Sequence, residues 1–106
     1  MKIDTNNLAP IVLNVFNRPE HTLKTLESLS RNTLAKFSDL FIFCDSAKQG
    51  ESCTNNINEV RRIVKSKKWC KSVYVEEFKY NFGQVDAFEY AIKTIVNKYG
   101  KIIVLE

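Results

Sequence analysis

Glycine and proline are scarce in this chain, with three and two among 106 residues. So few breakers leave no room for a flexible linker, and 12.3 kDa is enough for one domain around one core. Long apolar runs are lacking too: none approaches the roughly 20 residues a membrane span needs. The opening MKIDTNNLAP is too polar for a signal peptide and reads as a loose lead-in over residues 1–8. Cysteine is sparse. Cys44, Cys53 and Cys70 are odd in number, widely spaced and form no CxxC pair, which argues against a disulfide scaffold or a zinc knuckle. Reduced thiols in a soluble, cytoplasmic protein are the expectation.

Several catalytic signatures are missing. The place after the first apolar run holds NRPEHT rather than the GxGxxG that close pyrophosphate approach requires, and no GxxxxGK[ST] occurs. Classical hydride transfer and P-loop chemistry are thereby disfavoured. His21 is the single histidine, in the first turn of an expected helix, and no GxSxG elbow accompanies it. Nucleophilic catalysis has no candidate, and metal-ligand spacing is absent.

What remains is an ordinary globular composition, 44% hydrophobic and 26% charged, which argues against disorder. Pro10 to Phe16 is β-branched and almost wholly apolar, as in a strand covered on both faces. Asn17 can cap the helix that follows, Pro19 suits its first turn and Glu20 favours the positive end of its dipole. Leu23, Leu26 and Leu29 continue at helical spacing. A second strand spans Asp39–Cys44 and ends at Asp45. A polar loop over 46–56 leads to an amphipathic helix marked by Ile57, Val60, Ile63 and Val64. Ser72 to Val75 is a short third strand, expected to run on to Glu77. Asn81-Phe82-Gly83-Gln84 then opens a helix with an apolar stripe of Val85, Phe88, Ile92, Ile95, Val96 and Tyr99. Gly100 supplies a left-handed stop, and Ile102–Leu105 is a fourth strand ending on Glu106.

The succession βαβαβαβ calls for a three-layer, Rossmann-like parallel sheet with helices on both faces, and right-handed crossovers favour the order 3-2-1-4. In that order the winding reverses beside strand one and a crevice opens at the carboxyl edge. Asn17 and Arg18, Asp45, the NFGQ loop and Glu106 would all rim it. Each also has a plain structural reading, as cap, surface charge, turn former or hinge.

The net charge is +4 and the pI near 9.0. Part of the excess lies in Arg61–Lys71, a basic run beside Trp69. Cations can neutralise phosphates and an aromatic can stack on a base, so an interaction module for nucleic acid or an acidic partner is the alternative function. The plain reading is a solvated helix face and its exit turn.

The segments APIVLNVFNRPEHTLKTLESL, FIFCDSAK and the run from the NFG loop to YGKIIVLE resemble the N-terminal half of a GT-A glycosyltransferase, of the family 2-like and N-acetylglucosaminyltransferase I-like type. The resemblance covers nearly the whole chain from about Ala9, through individually loose motifs. The final VLE is similar to the start of a VLEDD signature, that family's form of the DxD metal motif.

The resemblance implies a nucleotide-sugar donor, with UDP-sugar favoured, and an acceptor hydroxyl of unknown identity. Phe16 and Asn17 would line the nucleoside, and Arg18 would pair with the diphosphate. The Asp45 carboxylate would accept from a uracil imide, Gly83 and Gln84 would border base and ribose, and Glu106 would stand at the ribose. Mg²⁺ or Mn²⁺ is implied for the full-length enzyme. Its main ligand and the catalytic base would lie beyond Glu106, so no catalytic or metal residue is assigned within 1–106. The chain alone is expected to transfer no sugar and to bind UDP weakly at most. The outer edge of residues 101–105 is expected to be unpaired and open to homodimerisation. A sugar nucleotidyltransferase is a third reading, weakened by the missing glycine-rich loop after strand one.

Overall fold

Four strands hydrogen-bond side by side in the order β3-β2-β1-β4, all parallel: β1 (Ile11–Val15), β2 (Asp39–Cys44), β3 (Ser72–Glu77) and β4 (Ile103–Leu105). This computed structural model describes residues 8–50 and 52–105. Helices α1 (Pro19–Ser30), α2 (Thr54–Lys65) and α3 (Gln84–Tyr99) make the crossovers, and a short 3₁₀ turn, Ala35–Phe37, precedes β2. The expected α/β fold and strand order are therefore both present. All of the lead-in 1–8 except Leu8 lies outside the described residues.

Strand periodicity divides the core in two. Ile11, Leu13 and Val15 of β1 point to one face with Leu40, Ile42 and Cys44 of β2, where α1 and α2 add Leu26, Leu29, Val60, Ile63 and Val64. Val12 and Phe43 point to the other face, where α3 closes over them with Ala87, Ala91 and Ile95. Side chains such as Leu26, Leu40, Ile42, Val60 and Val64 are almost wholly removed from water. Each contributes about 1.5–3 kcal/mol relative to exposure.

Two helix details differ from the sequence expectation. Arg18, not Asn17, is the residue preceding α1, with Pro19 in the first helical position and no side-chain cap. On α3 the buried row is Ala87, Ala91 and Ile95, whereas Phe88 and Tyr99 remain exposed and Val85 is 68% accessible. The aromatic rings of Phe41, Phe43 and Phe78 fill the space above this face of the sheet. A helix seated on such rings fits closely with small residues, so its alanines turn inward and its larger apolar row turns partly outward. Gly100, at φ 78°, ends α3 in the left-handed conformation, its N–H bonded to the Val96 carbonyl.

Candidate functional site

Parallel strands bring the ends of β1, β2 and β3 to one edge of the sheet, together with the starts of α1, α2 and α3. Helices α1 and α2 share one face and α3 takes the other, so the winding reverses beside β1. The crevice of such a fold lies there, beyond the carboxyl ends of the strands.

Asp45, the first residue after β2, is the hub of this edge. It is only 6% accessible, and its carboxylate accepts three backbone N–H groups. Oδ1 takes Ser46 N and Phe82 N, both at 2.9 Å, and Oδ2 takes Gly83 N at 3.2 Å. An ionised carboxylate has about four acceptor positions. Asp45 therefore holds the 82–83 loop in place across an interval of nearly forty residues, with one position on Oδ2 left over. Asn81 reinforces the contact by donating its Nδ2 to the Ser46 carbonyl at 2.7 Å.

Gly83 makes this arrangement possible. It enters α3 at φ 83° and ψ 155°, a region that glycine alone occupies readily. Its carbonyl accepts the first bond of the helix, from Ala87 N at 2.9 Å. Phe82 stacks on Phe78 with ring centroids 4.1 Å apart, and Tyr90 meets both rings edge-on. The Tyr90 hydroxyl is hydrogen-bonded to Glu76, which pushes its ionisation upward from the usual phenol range.

Arg61 of α2 locks the ends of β2 and β3 together. Its Nη2 donates to Ser46 Oγ at 2.9 Å, to the Phe78 carbonyl at 3.1 Å and to the Asp45 carbonyl at 3.3 Å. Ser46 Oγ in turn donates to the Phe78 carbonyl. Nη1 stands 3.5 Å from Glu77 Oε1, and Lys65 Nζ lies 3.0 Å from the other oxygen of Glu77.

The remaining site residues of the sequence reading fall as follows. Phe16 and Asn17 are half-buried at the end of β1. Arg18 is exposed at the start of α1, its carbonyl bonded to Thr22 N, and has no ion-pair partner among the described residues. Gln84 is exposed in the first turn of α3. Glu106 lies outside the described residues. Arg18, Asp45 and Gly83 thus share the carboxyl edge. Sequence reasoning put Asn81 on the rim within the NFGQ loop but missed Ser46, Arg61 and Phe78, whose roles depend on partners far away in the chain.

Part of the basic run Arg61–Lys71 of the alternative reading is engaged within the fold. Arg61 is turned inward, Arg62 is paired with Glu59, and Lys65 is paired with Glu77. Trp69 is 4% accessible and donates its Nε1 to the Val64 carbonyl, so its ring cannot stack on a base. Arg62 and Lys65 stay exposed despite their pairing, as do Lys67, Lys68 and Lys71 of the exit turn.

Among the described residues, no group of three or more His, Cys, Asp or Glu side chains is placed to hold a metal ion. Nor is any helix there long and apolar enough to cross a membrane. Burial pushes the Cys44 thiol up to about 12, so it is a packed thiol and no nucleophile. Compared with models of protein families, with curated proteins and with solved structures, the chain matches none of them.

Proposed function

We propose that the carboxyl edge binds a nucleoside diphosphate, and that the chain is the donor-binding portion of a glycosyltransferase using a UDP-sugar. The observation that carries this reading is the loop of Phe82 and Gly83, pinned by Asp45 at the sheet edge that also holds Arg18, which has no ion-pair partner among the described residues. A pinned loop and an exposed guanidinium at the reversal point of a parallel sheet suit a diphosphate, which accepts bidentate bonds from arginine. The start of α1 adds unpaired backbone N–H groups and the positive end of a helix dipole.

In this reading Asp45 acts mainly by positioning the loop. The acceptor position left on Oδ2 is where a uracil imide N–H docks, flanked by Gly83 and Gln84, while Phe16 and Asn17 line the nucleoside. Glu106 keeps its assignment at the ribose. Mg²⁺ or Mn²⁺ belongs to the proposal for the whole enzyme, and none of the described residues is assigned to it. Sugar transfer by these 106 residues alone is not part of the proposal. The side of β4 with no neighbouring strand among the described residues is the proposed homodimer contact, and a strictly monomeric species in light scattering at high concentration would remove it.

Titration calorimetry or NMR with UDP and with uridine tests the reading. Weak UDP binding is expected, with uridine weaker still. Arg18→Ala should lower UDP affinity on the order of tenfold, the loss of one charge-assisted bond, and leave uridine unchanged. Equal affinity of both proteins for UDP would sink the proposal.

A further inference from the structure

The segments that lead into the amino ends of β2 and β3, residues 31–38 and 66–71, lie side by side. Lys71 N donates to the Ser38 carbonyl at 3.0 Å, in continuation of the β2–β3 pairing. Arg31, Lys36, Lys67, Lys68 and Lys71 are all exposed along these segments. Among the described residues Glu27 and Asp39 are the acids near them, so five cations there stand against two acids. Arg31, Lys67 and Lys68 border a shallow hollow of about 300 Å³ over the edge of buried Trp69, wide enough for a phosphate group. Beside the cations stand two large apolar side chains, Leu34 and Phe37, each 39% accessible. Lys36 lies across the Phe37 ring, 5.5 Å from its centroid, and so leaves its own charge at the rim.

We infer that this amino-edge patch docks the protein on an anionic lipid bilayer, with Leu34 and Phe37 entering the headgroup region and the surrounding lysines and arginine meeting lipid phosphates. Exposed apolar side chains on a segment that lies beside long basic ones match both halves of a bilayer surface, the apolar interior boundary and the anionic plane. A polynucleotide would engage the cations and the Phe37 ring but leave Leu34 without a partner, and the one indole at the patch is buried. The patch stands at the opposite end of the strands from Arg18 and Gly83, so a docked molecule would present its carboxyl edge to water. This surface is independent of the nucleotide reading and would stand if that reading failed.

Co-sedimentation of the chain with vesicles of phosphatidylcholine alone, or of equal parts phosphatidylcholine and phosphatidylglycerol, tests it. Binding is expected to the mixed vesicles only, and to fall steeply with salt. Each basic residue near an anionic surface changes affinity about fivefold, so Lys67→Glu with Lys68→Glu should weaken partitioning by at least about tenfold. Lys48→Glu with Lys79→Glu makes the same change of net charge at the carboxyl edge and should do much less. Leu34→Ser with Phe37→Ser should remove the binding that survives high salt. The inference is overturned if neither vesicle binds, if the two charge-reversed pairs behave alike, or if single-stranded RNA binds and the mixed vesicles do not.

Discussion

At the carboxyl edge of the sheet two charged side chains face inward, Asp45 toward three backbone amides and Arg61 toward two carbonyls and a hydroxyl. At the amino edge Lys67, Lys68 and Lys71 stand in solvent around a buried indole. The two ends use the same residue types for opposite purposes. Buried charge directed at backbone groups builds a rigid platform, because leaving those groups unpaired is costly. Exposed charge contributes little to stability and leaves its energy available for association. Counting charges along a chain does not separate these cases; asking which backbone groups need partners does.

Asp45→Ala should break the contrast most severely. It would leave the amides of Ser46, Phe82 and Gly83 without their acceptor, at a cost of about 3 kcal/mol in urea unfolding. Asp45→Asn keeps one acceptor oxygen and should lose about half as much. Arg61→Ala comes next, at about 2 kcal/mol, since it frees two carbonyls and a hydroxyl at the ends of β2 and β3. Arg61→Lys should recover little, as an ammonium cannot span that set of acceptors. Gly83→Ala should cost about 1.5 kcal/mol through backbone strain alone, because an added Cβ would meet nothing within 4 Å.

Alkaline titration compares the two ends through their buried thiols. Burial raises Cys44, beside Asp45, from an ordinary value near 9.0 to about 12, and Cys70, beside Lys71, to about 11. The unfolded chain gives up these protons first. Their contribution to stability is therefore whole below pH 9 and is lost as pH rises toward 11 and 12. Urea midpoints should fall over that window, and Cys44→Val should flatten the upper part of the fall. The smallest effect belongs to Lys67→Glu with Lys68→Glu, expected to change stability by less than about 0.5 kcal/mol at neutral pH. A large loss there would mean that the amino edge is as built-in as the carboxyl edge.

Most of the fold was legible in the sequence, for physical reasons. Apolar β-branched runs, Pro19 and Gly100 mark elements locally, and crossover handedness then limits the strand order. The inward row of α3 was not legible. Its apolar stripe predicts Phe88 and Tyr99 inside, and only the rings on the sheet below make Ala87 and Ala91 the better fit. At the site, Arg18, Asp45 and Gly83 could be placed on one edge from topology alone. The task of Asp45 could not, because its partners Phe82 and Gly83 are distant in sequence. Arg61 looked like part of a solvated helix face until Ser46 and Phe78 were seen to lie beside it.

The central proposal is that a nucleoside diphosphate binds at the carboxyl edge and not at the more positive amino edge. Mapping backbone amide NMR shifts during titration with UDP tests it most directly. The account predicts saturable shifts concentrated at Asn17, Arg18, Phe82, Gly83 and Gln84, with Lys67 and Lys68 unmoved. Shifts confined to Arg31, Lys67 and Lys68, as simple attraction of an anion to the basic patch would produce, would contradict it.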